Sequence, residues 1–458
     1  MTSLSRRQLL QLAGLGAVAP SLLLGRRARA NAATGQVKHV LVLNLRGGFR
    51  SHCTFNAVGT QQHNPFGAQQ SAPGTQWRLG AACGAKSYAS SLGPIPAFAD
   101  VTDQACVLAC VDHNPGGAAE IDHVAGQRRV GTGFPDGENG VLSIVGAHHP
   151  LYANGFSADV LPPVEIGPSD FGVGVGDYGE RRPLSLFGAQ FSTGTAGGTT
   201  AGWHTEMRKT LDEAFLAKRS RAYQKRLKAF RLAKENAALF SGMLQDPRLD
   251  VVNSPEASDA GVTNAQLIEV LGNHDLTEIG DPQSRLSWGA DIALALRCFS
   301  LGAPMVTVAR DVYDMHDIEA DAYAPRSEDL VRQLAGLHFL LTRMPHPDGD
   351  GTYWDKTLVV TTSEFSRNNT QELTGFNTGN GSDHVGSDDA PTRNQALVMM
   401  GGVVAAAGQM IGSTDDDIKA TGEVIASRDV LATVLDVLGL DPTEHLGSDV
   451  KPIAGVFQ

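Results

Sequence analysis

Cysteine is scarce in this chain of 458 residues, with only five, at positions 53, 83, 106, 110 and 298. An odd and widely spaced set does not make a disulfide framework, so the fold must depend on an ordinary hydrophobic core. Cys106 and Cys110 lie in one apolar run that is typical of a strand. There they would be about 13 Å apart on one face, too far for a disulfide. We expect both to be core residues.

Basic residues are also in deficit, with 37 Lys and Arg against 49 Asp and Glu and a formal net charge of −12. Five of the arginines lie within the first 30 residues, which contain no acid, so the remaining chain is more acidic still. Nucleic acids and anionic membrane surfaces are bound through clustered positive charge. The composition therefore argues against both as partners. A charged fraction of 19% and a hydrophobic fraction of 42% are typical of a globular protein.

Long hydrophobic runs are absent after the first 30 residues. The chain opens with the pair Arg6-Arg7, continues through an apolar segment at 9–25 and reaches the small-x-small site Ala28-Arg29-Ala30. This combination predicts a twin-arginine signal peptide over residues 1–30. A membrane anchor is the alternative, but the apolar segment is at the lower limit for spanning a bilayer. We expect a periplasmic or secreted protein with no stable membrane span after signal removal.

Apolar strand-like runs alternate with helical patterns from residue 36 onward. The strand-like runs lie at 37–45, 105–111, 164–166, 305–309, 357–362 and 396–400, and the helical patterns at 206–244, 286–301, 330–341 and 427–438. This alternation predicts an α/β fold with a largely parallel central sheet flanked by helices. We expect one α/β domain over residues 31–458, with the long helix near 206–244 as an embellishment. In such sheets ligands bind beyond the carboxyl ends of the strands.

Carboxylates and imidazoles follow two of the predicted strands. They are Asp314 and His316, then Glu364, and in a later Gly/Asn-rich loop Asp383 and His384. Both residue types are ligands of zinc and similar divalent ions. Asp314 and His316 are two residues apart, so both side chains point to the same side of an extended segment. Each residue alone is more simply an ordinary loop residue, whereas the whole set indicates a metal site.

Short motifs run through most of the chain in a distinctive order, from about residue 37 to residue 450. They are Leu45-Arg46-Gly47-Gly48, His123-Val124-Ala125, Tyr313-Asp314-Met315-His316, Ser363-Glu364-Phe365-Ser366-Arg367, Gly381-Ser382-Asp383-His384 and Leu438-Gly439-Leu440-Asp441-Pro442. The set resembles the bacterial family called domain of unknown function 1501, of the alkaline phosphatase superfamily, which also contains sulfatases. The resemblance implies an alkaline phosphatase- or sulfatase-like fold.

The same resemblance implies a metal-dependent hydrolase of phosphate or sulfate esters, with a small anionic ester as substrate. In that superfamily divalent ions polarise the ester. Carried onto this chain, Asp314, His316 and His384 would form one metal site. Glu364 would contribute to a second site, with Asp383 as a further candidate. The cofactor would be zinc or a similar divalent metal, as one or two ions.

The segment after Gly47-Gly48 departs from the family pattern. Where members place a metal-ligating acid, this chain has Arg50 or, in the family's other version, Cys53 and Asn56. One hypothesis is that Arg50 binds the anionic group bidentately in place of a second ion. The alternative is that Cys53 or its neighbour His52 binds zinc.

The segment expected to carry the nucleophile also departs from the family pattern. The superfamily uses a Ser, Thr or modified Cys at a helix N-terminus, but the corresponding segment at 112–123 contains neither hydroxyl nor thiol. His113 and His123 are the candidate catalytic residues there, together with Arg50. Ser51 and Thr54 lie nearer the first strand. These departures leave open a second function, that of a catalytically degenerate member acting as an exported binding or assembly protein.

Overall fold

The computed structural model describes residues 37–55, 86–113, 123–134, 137, 139–167, 183–186, 239–272, 282–311, 313–314, 320–366, 394–415 and 419–457. The predicted signal peptide at 1–30 and most of the predicted helix at 206–244 lie outside these residues. So do His316, Asp383 and His384.

A nine-stranded sheet forms the centre of the described chain. Its strands are β1 (His39–Arg46), β4 (Ala105–Asp112), β5 (Val164–Ile166), β6 (Leu184–Leu186), β9 (Met305–Asp311), β10 (Thr357–Thr362), β11 (Asn394–Met400), β12 (Met410–Ile411) and β13 (Ile425–Ala426). Two hairpins lie apart from it, β2 (Tyr88–Ser90) with β3 (Gly93–Ile95), and β7 (Ser258–Asp259) with β8 (Val262–Thr263). The spatial order of the sheet is β12-β4-β11-β10-β1-β9-β5-β6, with β13 beside β4.

Within this sheet β11 runs against its neighbours. It is antiparallel to β10 and β4, whereas β1 is parallel to β9 and β10, and β5 is parallel to β6 and β9. The predicted α/β fold with a largely parallel sheet is confirmed. Because β11 is reversed, its first residue Asn394 pairs with Asp112 at the end of β4. The start of β11 therefore lies at the edge where the parallel strands end.

Helices cover both faces of the sheet. They are α1 (Ser51–Thr54), α2 (His123–Thr132), α3 (Val141–His148), α4 (Ser241–Leu244), α5 (Asn264–Leu271), α6 (Pro282–Ser300), α7 (Ala320–Leu341), α8 (Tyr353–Lys356), α9 (Ser427–Val437) and α10 (Pro442–Leu446). Leu41 and Leu43 of β1 pack into one core with α5, α6 and α7. Val40 and Val42 pack into the core on the other face with α3 and α9. Burial on both faces explains the apolar run Val40–Leu43 of β1.

Three of the cysteines, at positions 106, 110 and 298, are core residues. Cys106 and Cys110 lie buried in β4, and Cys298 lies buried in α6; none of the three forms a disulfide. Burial raises the pKa of Cys106 to about 12, so it stays a neutral thiol. The expectation for Cys106 and Cys110 is confirmed.

The helices that the structure describes include none with the length and apolar character needed to cross a membrane.

A buried histidine pair lies at the amino-terminal edge of the sheet, at the start of β1. His39 Nδ1 donates to the carbonyl oxygen of Ala303 at 2.9 Å, and His39 Nε2 lies 3.2 Å from Nε2 of His346. The backbone N–H of Asp348 donates to His346 Nδ1 at 3.3 Å, so His346 carries its proton on Nε2 and donates it to His39. Both rings are neutral in this arrangement. Burial lowers the pKa of His39 to about 4.

We expect the protein to lose stability as the pH falls from about 6.5 towards 4. Unfolded His39 takes up a proton near pH 6.5, but folded His39 does so only near pH 4. Between these values the unfolded chain binds more protons, so acid favours unfolding. His149, whose pKa burial also lowers to about 4, acts in the same direction.

Urea unfolding at pH 7 and pH 5 measures this effect. The free energy of unfolding should fall by about 2 kcal/mol more in the parent chain than in His39→Gln, which cannot take up the proton. An equal fall in both proteins would show that His39 is not the group responsible.

Candidate active site at the carboxyl edge of the sheet

Glu364 joins three elements at the carboxyl edge. It lies two residues beyond β10, and its side chain is only 1% exposed. Its Oε1 accepts hydrogen bonds from the backbone N–H of Gly47 at 2.7 Å and from His123 Nδ1 at 2.8 Å, while its Oε2 accepts one from Gln127 Nε2 at 2.8 Å. A buried carboxylate requires such donors because an uncompensated charge is costly in the interior. The carboxylate thereby links the loops after β1 and β10 to α2.

His123, the first residue of α2, lies between two carboxylates. Its Nδ1 is bonded to Glu364, and its Nε2 lies 3.7 Å from Asp314 Oδ2. The bond to Glu364 places the proton on Nδ1 and leaves a lone pair on Nε2 when the ring is neutral. The side chains of His123 and Asp314 are 33% and 46% exposed. The His123 Nε2 atom is itself buried, so Asp314 is the more accessible member of the pair.

Gly47 allows the loop that carries Asp314 to approach β1. Its φ is +109°, and a Cβ at this position would overlap the backbone of Asp314 and lie 2.5 Å from its Cα. The same loop is held by a hydrogen bond from Tyr313 N–H to the carbonyl oxygen of Arg46 at 3.1 Å. The ring of Tyr313 is buried and packs edge-on against Phe49 at 5.1 Å. Asp314 is thus positioned by backbone contacts with the end of β1.

Two amides extend the network from Glu364 into the sheet. Gln127 Oε1 accepts a hydrogen bond from Asn44 Nδ2 at 2.9 Å, and Asn44 is fully buried in β1. Gly126 lets α2 pack closely, because a Cβ there would lie 2.8 Å from the carbonyl oxygen of Glu364. The sequence motifs did not single out Asn44 or Gln127. The available signal was the single amide inside the apolar run of β1.

Arg50 and the hydroxyl groups beside it lie inside the protein. Arg50 is 2% exposed. Ser51 Oγ accepts a hydrogen bond from the backbone N–H of Ala396 at 2.9 Å, and Thr54 Oγ1 donates to Ser327 Oγ at 2.9 Å. Both hydroxyls therefore take part in internal packing contacts.

His52, considered above as a zinc ligand, is also held internally. It is buried, and its Nε2 donates to the carbonyl oxygen of Asn394 at 2.6 Å. This bond ties α1 to the start of β11, so the Nε2 atom has a structural partner.

His113 follows β4 and is buried beside the site. It lines a small cavity of about 20 Å³ together with Thr362, Ser363, Gln395 and Ser427. A space of this size holds about one water molecule. The ring of Phe365 lies 6.4 Å from the His113 ring and 5.0 Å from the His123 ring. His113 is therefore an interior neighbour of the site, whereas His123 reaches its surface.

Asp329 lies buried in α7, near the end of β9. Burial raises its pKa to about 6, while the positive charge of Arg310 acts in the opposite direction. Burial also raises the pKa of Tyr313, and the nearby Asp329 charge adds to that effect. Asp329 is thus a buried carboxyl with a raised pKa that acts on Tyr313, the neighbour of Asp314.

The structure brings together three of the residues singled out from the sequence, namely His123, Asp314 and Glu364. Arg50 and His113 lie at the same edge of the sheet but in the interior. The remaining candidates, His316, Asp383 and His384, are outside the described residues. Within the described ranges, no three His, Cys, Asp or Glu side chains are grouped as ligands of one metal ion.

Comparison with known proteins identifies a family. The family described as Protein of unknown function (DUF1501) matches residues 201–451, more than half of the chain. A search of curated proteins finds no match. Similar solved structures include a sulfatase from Pseudoalteromonas sp., at 12% identity and a TM-score of 0.37, over 91% of this chain and 72% of that one.

Another similar structure is the lipoteichoic acid synthase LtaP from Listeria monocytogenes, at 11% identity and a TM-score of 0.33, over 90% of this chain and 73% of that one. The family assignment rests on the sequence match, and it confirms the resemblance seen in the motifs. The chain belongs to the DUF1501 family.

Proposed function

We propose that this protein is an exported, metal-dependent hydrolase of phosphate or sulfate esters. The observation that carries the proposal is the array of Glu364, His123 and Asp314 at the carboxyl edge of the sheet. This edge is where α/β proteins bind their ligands. Export through the twin-arginine route is part of the proposal and depends on the sequence of residues 1–30.

The array suits proton transfer or ligation at one atom, His123 Nε2. Glu364 accepts a hydrogen bond from the Nδ1–H group of His123. This bond fixes the ring orientation and the tautomer, as carboxylates do behind catalytic and metal-binding histidines. The negative charge of Glu364 also stabilises the imidazolium form. His123 Nε2 can then accept a proton from a water molecule or donate one to a leaving oxygen.

The facing donor atoms of Asp314 and His123 have a separation that fits a divalent metal ion. Asp314 Oδ2 and His123 Nε2 are 3.7 Å apart, within the roughly 3–4 Å that separates two ligand atoms on one zinc ion. When bound, the ion would polarise the ester and offset its negative charge. Asp314 would hold it, with His316, His384 and Asp383 as the further ligands that the sequence motifs suggest.

Glu364 has a different role in this proposal from the one expected from its motif. Both of its oxygens already accept hydrogen bonds from Gly47, His123 and Gln127. These bonds favour Glu364 as the carboxylate that orients His123 over a direct metal ligand.

Arg50 completes the proposed site. It stands where relatives have an acid, at the edge where β1 ends, and supplies a positive charge in place of a negative one. A guanidinium binds a phosphate or sulfate group through two parallel hydrogen bonds. Its burial strengthens that attraction because the local dielectric is low.

A catalytically degenerate member that binds without turnover is the second candidate. It is favoured by the internal hydrogen bonds of Ser51 and Thr54, which occupy the hydroxyl groups of the segment that follows β1. In that case His123 and Asp314 would serve an anion- or metal-binding role only.

A panel of phosphate and sulfate esters tests the proposal, with protein purified without chelator and its metal content measured. We expect His123→Ala to lower kcat/KM by at least about 100-fold, the usual contribution of a general acid–base group. His384→Ala, which removes a proposed metal ligand, should also lower kcat/KM strongly. His148→Ala is the matched control, because His148 is exposed on α3, and it should stay within about twofold of the parent.

The two candidates give different results. Turnover that is equal in the parent, His123→Ala and His384→Ala would refute the hydrolase proposal for this site. Metal content that falls in His384→Ala, with no ester turned over by the parent, would instead support the binding function.

A further inference from the structure

A second pocket lies at the amino-terminal edge of the sheet, opposite the candidate active site. It has a volume of about 630 Å³ and opens around the starts of β1 and β9 and the end of α9. The length of β1 separates the two sites by roughly 25 Å. Its volume is in the range of pockets that enclose small ligands, about 300–1,000 Å³. The proposed hydrolase does not use this edge.

Apolar side chains form most of the wall. Phe299 from the end of α6 and Val437 and Leu438 from the end of α9 are buried beneath it, and Val160 lies beside them. Leu151 stands at the rim and is 55% exposed. The wall therefore suits an apolar body about the size of two aromatic rings.

Lys38, Asp348 and His149 form a polar part of the pocket lining. Lys38, which precedes β1, is about half exposed, and its Nζ lies 4.0 Å from Asp348 Oδ2, a separation at which an exposed pair contributes little. His149 Nδ1 accepts a hydrogen bond from the backbone N–H of Leu151 at 3.3 Å, so its proton is on Nε2. This part of the lining thus offers one cation and one N–H donor.

The imidazoles of this pocket stay neutral at physiological pH. Burial lowers the pKa of His149 to about 4, and the positive charge of Lys38 lowers it further. Lys38 and His149 both line the pocket. Asp348 is the anion in this part of the lining, and it also acts on His39 and His346. Because it offsets part of the Lys38 charge, a ligand with a single negative charge fits best.

We propose that this pocket binds a small amphiphilic molecule with an apolar, aromatic-sized body and one anionic group. The body lies against Phe299, Leu438 and Leu151, and the anionic group accepts hydrogen bonds from Lys38 and from His149 Nε2. Binding here leaves the carboxyl edge open, so this site is independent of the proposed hydrolase activity.

Two fluorescent probes of nearly equal shape test the proposal on the full chain. They are 8-anilinonaphthalene-1-sulfonate, which carries one negative charge, and N-phenyl-1-naphthylamine, which carries none. We expect one saturable site for each probe. Lys38→Gln should weaken the sulfonate about fivefold, the upper range for a partly exposed ion pair, and leave the uncharged probe unchanged. Leu151→Trp, which fills the rim, should weaken both probes at least about tenfold.

Matched variants outside the pocket control for general effects. Lys86→Gln removes a similarly exposed lysine that pairs with Glu328, and Val252→Trp adds the same bulk at another exposed apolar position. Both should bind like the parent. The proposal fails if neither probe binds saturably or if Leu151→Trp binds both as the parent does. An equal effect of Lys38→Gln on the two probes would overturn the assignment of the anionic group to Lys38.

Discussion

Gly47→Ala is expected to destabilise the protein by roughly 3–5 kcal/mol and to move Asp314 away from His123. Two costs add at this position. A residue with a side chain is strained at φ +109°, and its Cβ would overlap the backbone of Asp314, which cannot rotate away as a side chain could. The overlap is relieved only if the loop that carries Asp314 shifts away from β1. That shift breaks the hydrogen bond from Tyr313 N–H to Arg46 O.

Gly93→Ala is the matched control for backbone strain. Gly93, in the β2–β3 hairpin, has a φ of +112°, almost the same as Gly47, but a Cβ added there would have no atom within 4 Å. It should therefore cost only the strain, about 1–3 kcal/mol. Urea unfolding of both variants separates strain from overlap. Equal losses in the two proteins would show that the approach of the Asp314 loop to β1 is not close enough to matter.

The main layers of the fold follow from the sequence because buried strands and helices have strong patterns. The strands at 164–166 and 357–362 have the predicted bounds, and β1, β4 and β9 differ by one to two residues at their ends. The reversed direction of β11 was not predicted. A strand buried on both faces is an unbroken apolar run in either direction, so the pattern does not encode its orientation.

The site was only partly predictable, since motifs identify residue types but not partners. The sequence singled out Glu364, His123 and Asp314, and the structure brings these three together. The structure also shows what the motif could not: the carboxylate of Glu364 accepts hydrogen bonds from the loop after β1 and from α2. That arrangement depends on the close approaches at Gly47 and Gly126, which connect segments far apart in the chain.

Glu364→Ala is expected to cost roughly 3–5 kcal/mol of the free energy of unfolding, because it leaves buried donors without an acceptor. The donors are the backbone N–H of Gly47, Gln127 Nε2 and His123 Nδ1. The substitution also removes the hydrogen bond that holds His123 Nδ1, so the ring proton is no longer fixed on that nitrogen. Any activity that depends on His123 Nε2 should fall with the stability.

Glu364→Gln separates the hydrogen bonds from the space that the side chain fills. The amide keeps the volume and one acceptor oxygen, which can still face Gly47 and His123. Its NH₂ group then faces Gln127, whose amide can reverse, as can that of Asn44 behind it. We expect a loss of only about 1–2 kcal/mol, the range for one weakened buried hydrogen bond.

Urea unfolding of these variants, with Glu269→Ala as control, measures the role of burial in the Glu364 network. Glu269 also accepts a backbone hydrogen bond, from Ser91 at 2.8 Å, but does so at the surface, where water can replace it. Its loss should cost less than about 1 kcal/mol. If Glu364→Ala were no more destabilising than Glu269→Ala, the carboxylate would not be the link between β1, β10 and α2. If Glu364→Gln matched Glu364→Ala, the amides of Gln127 and Asn44 would be unable to reverse.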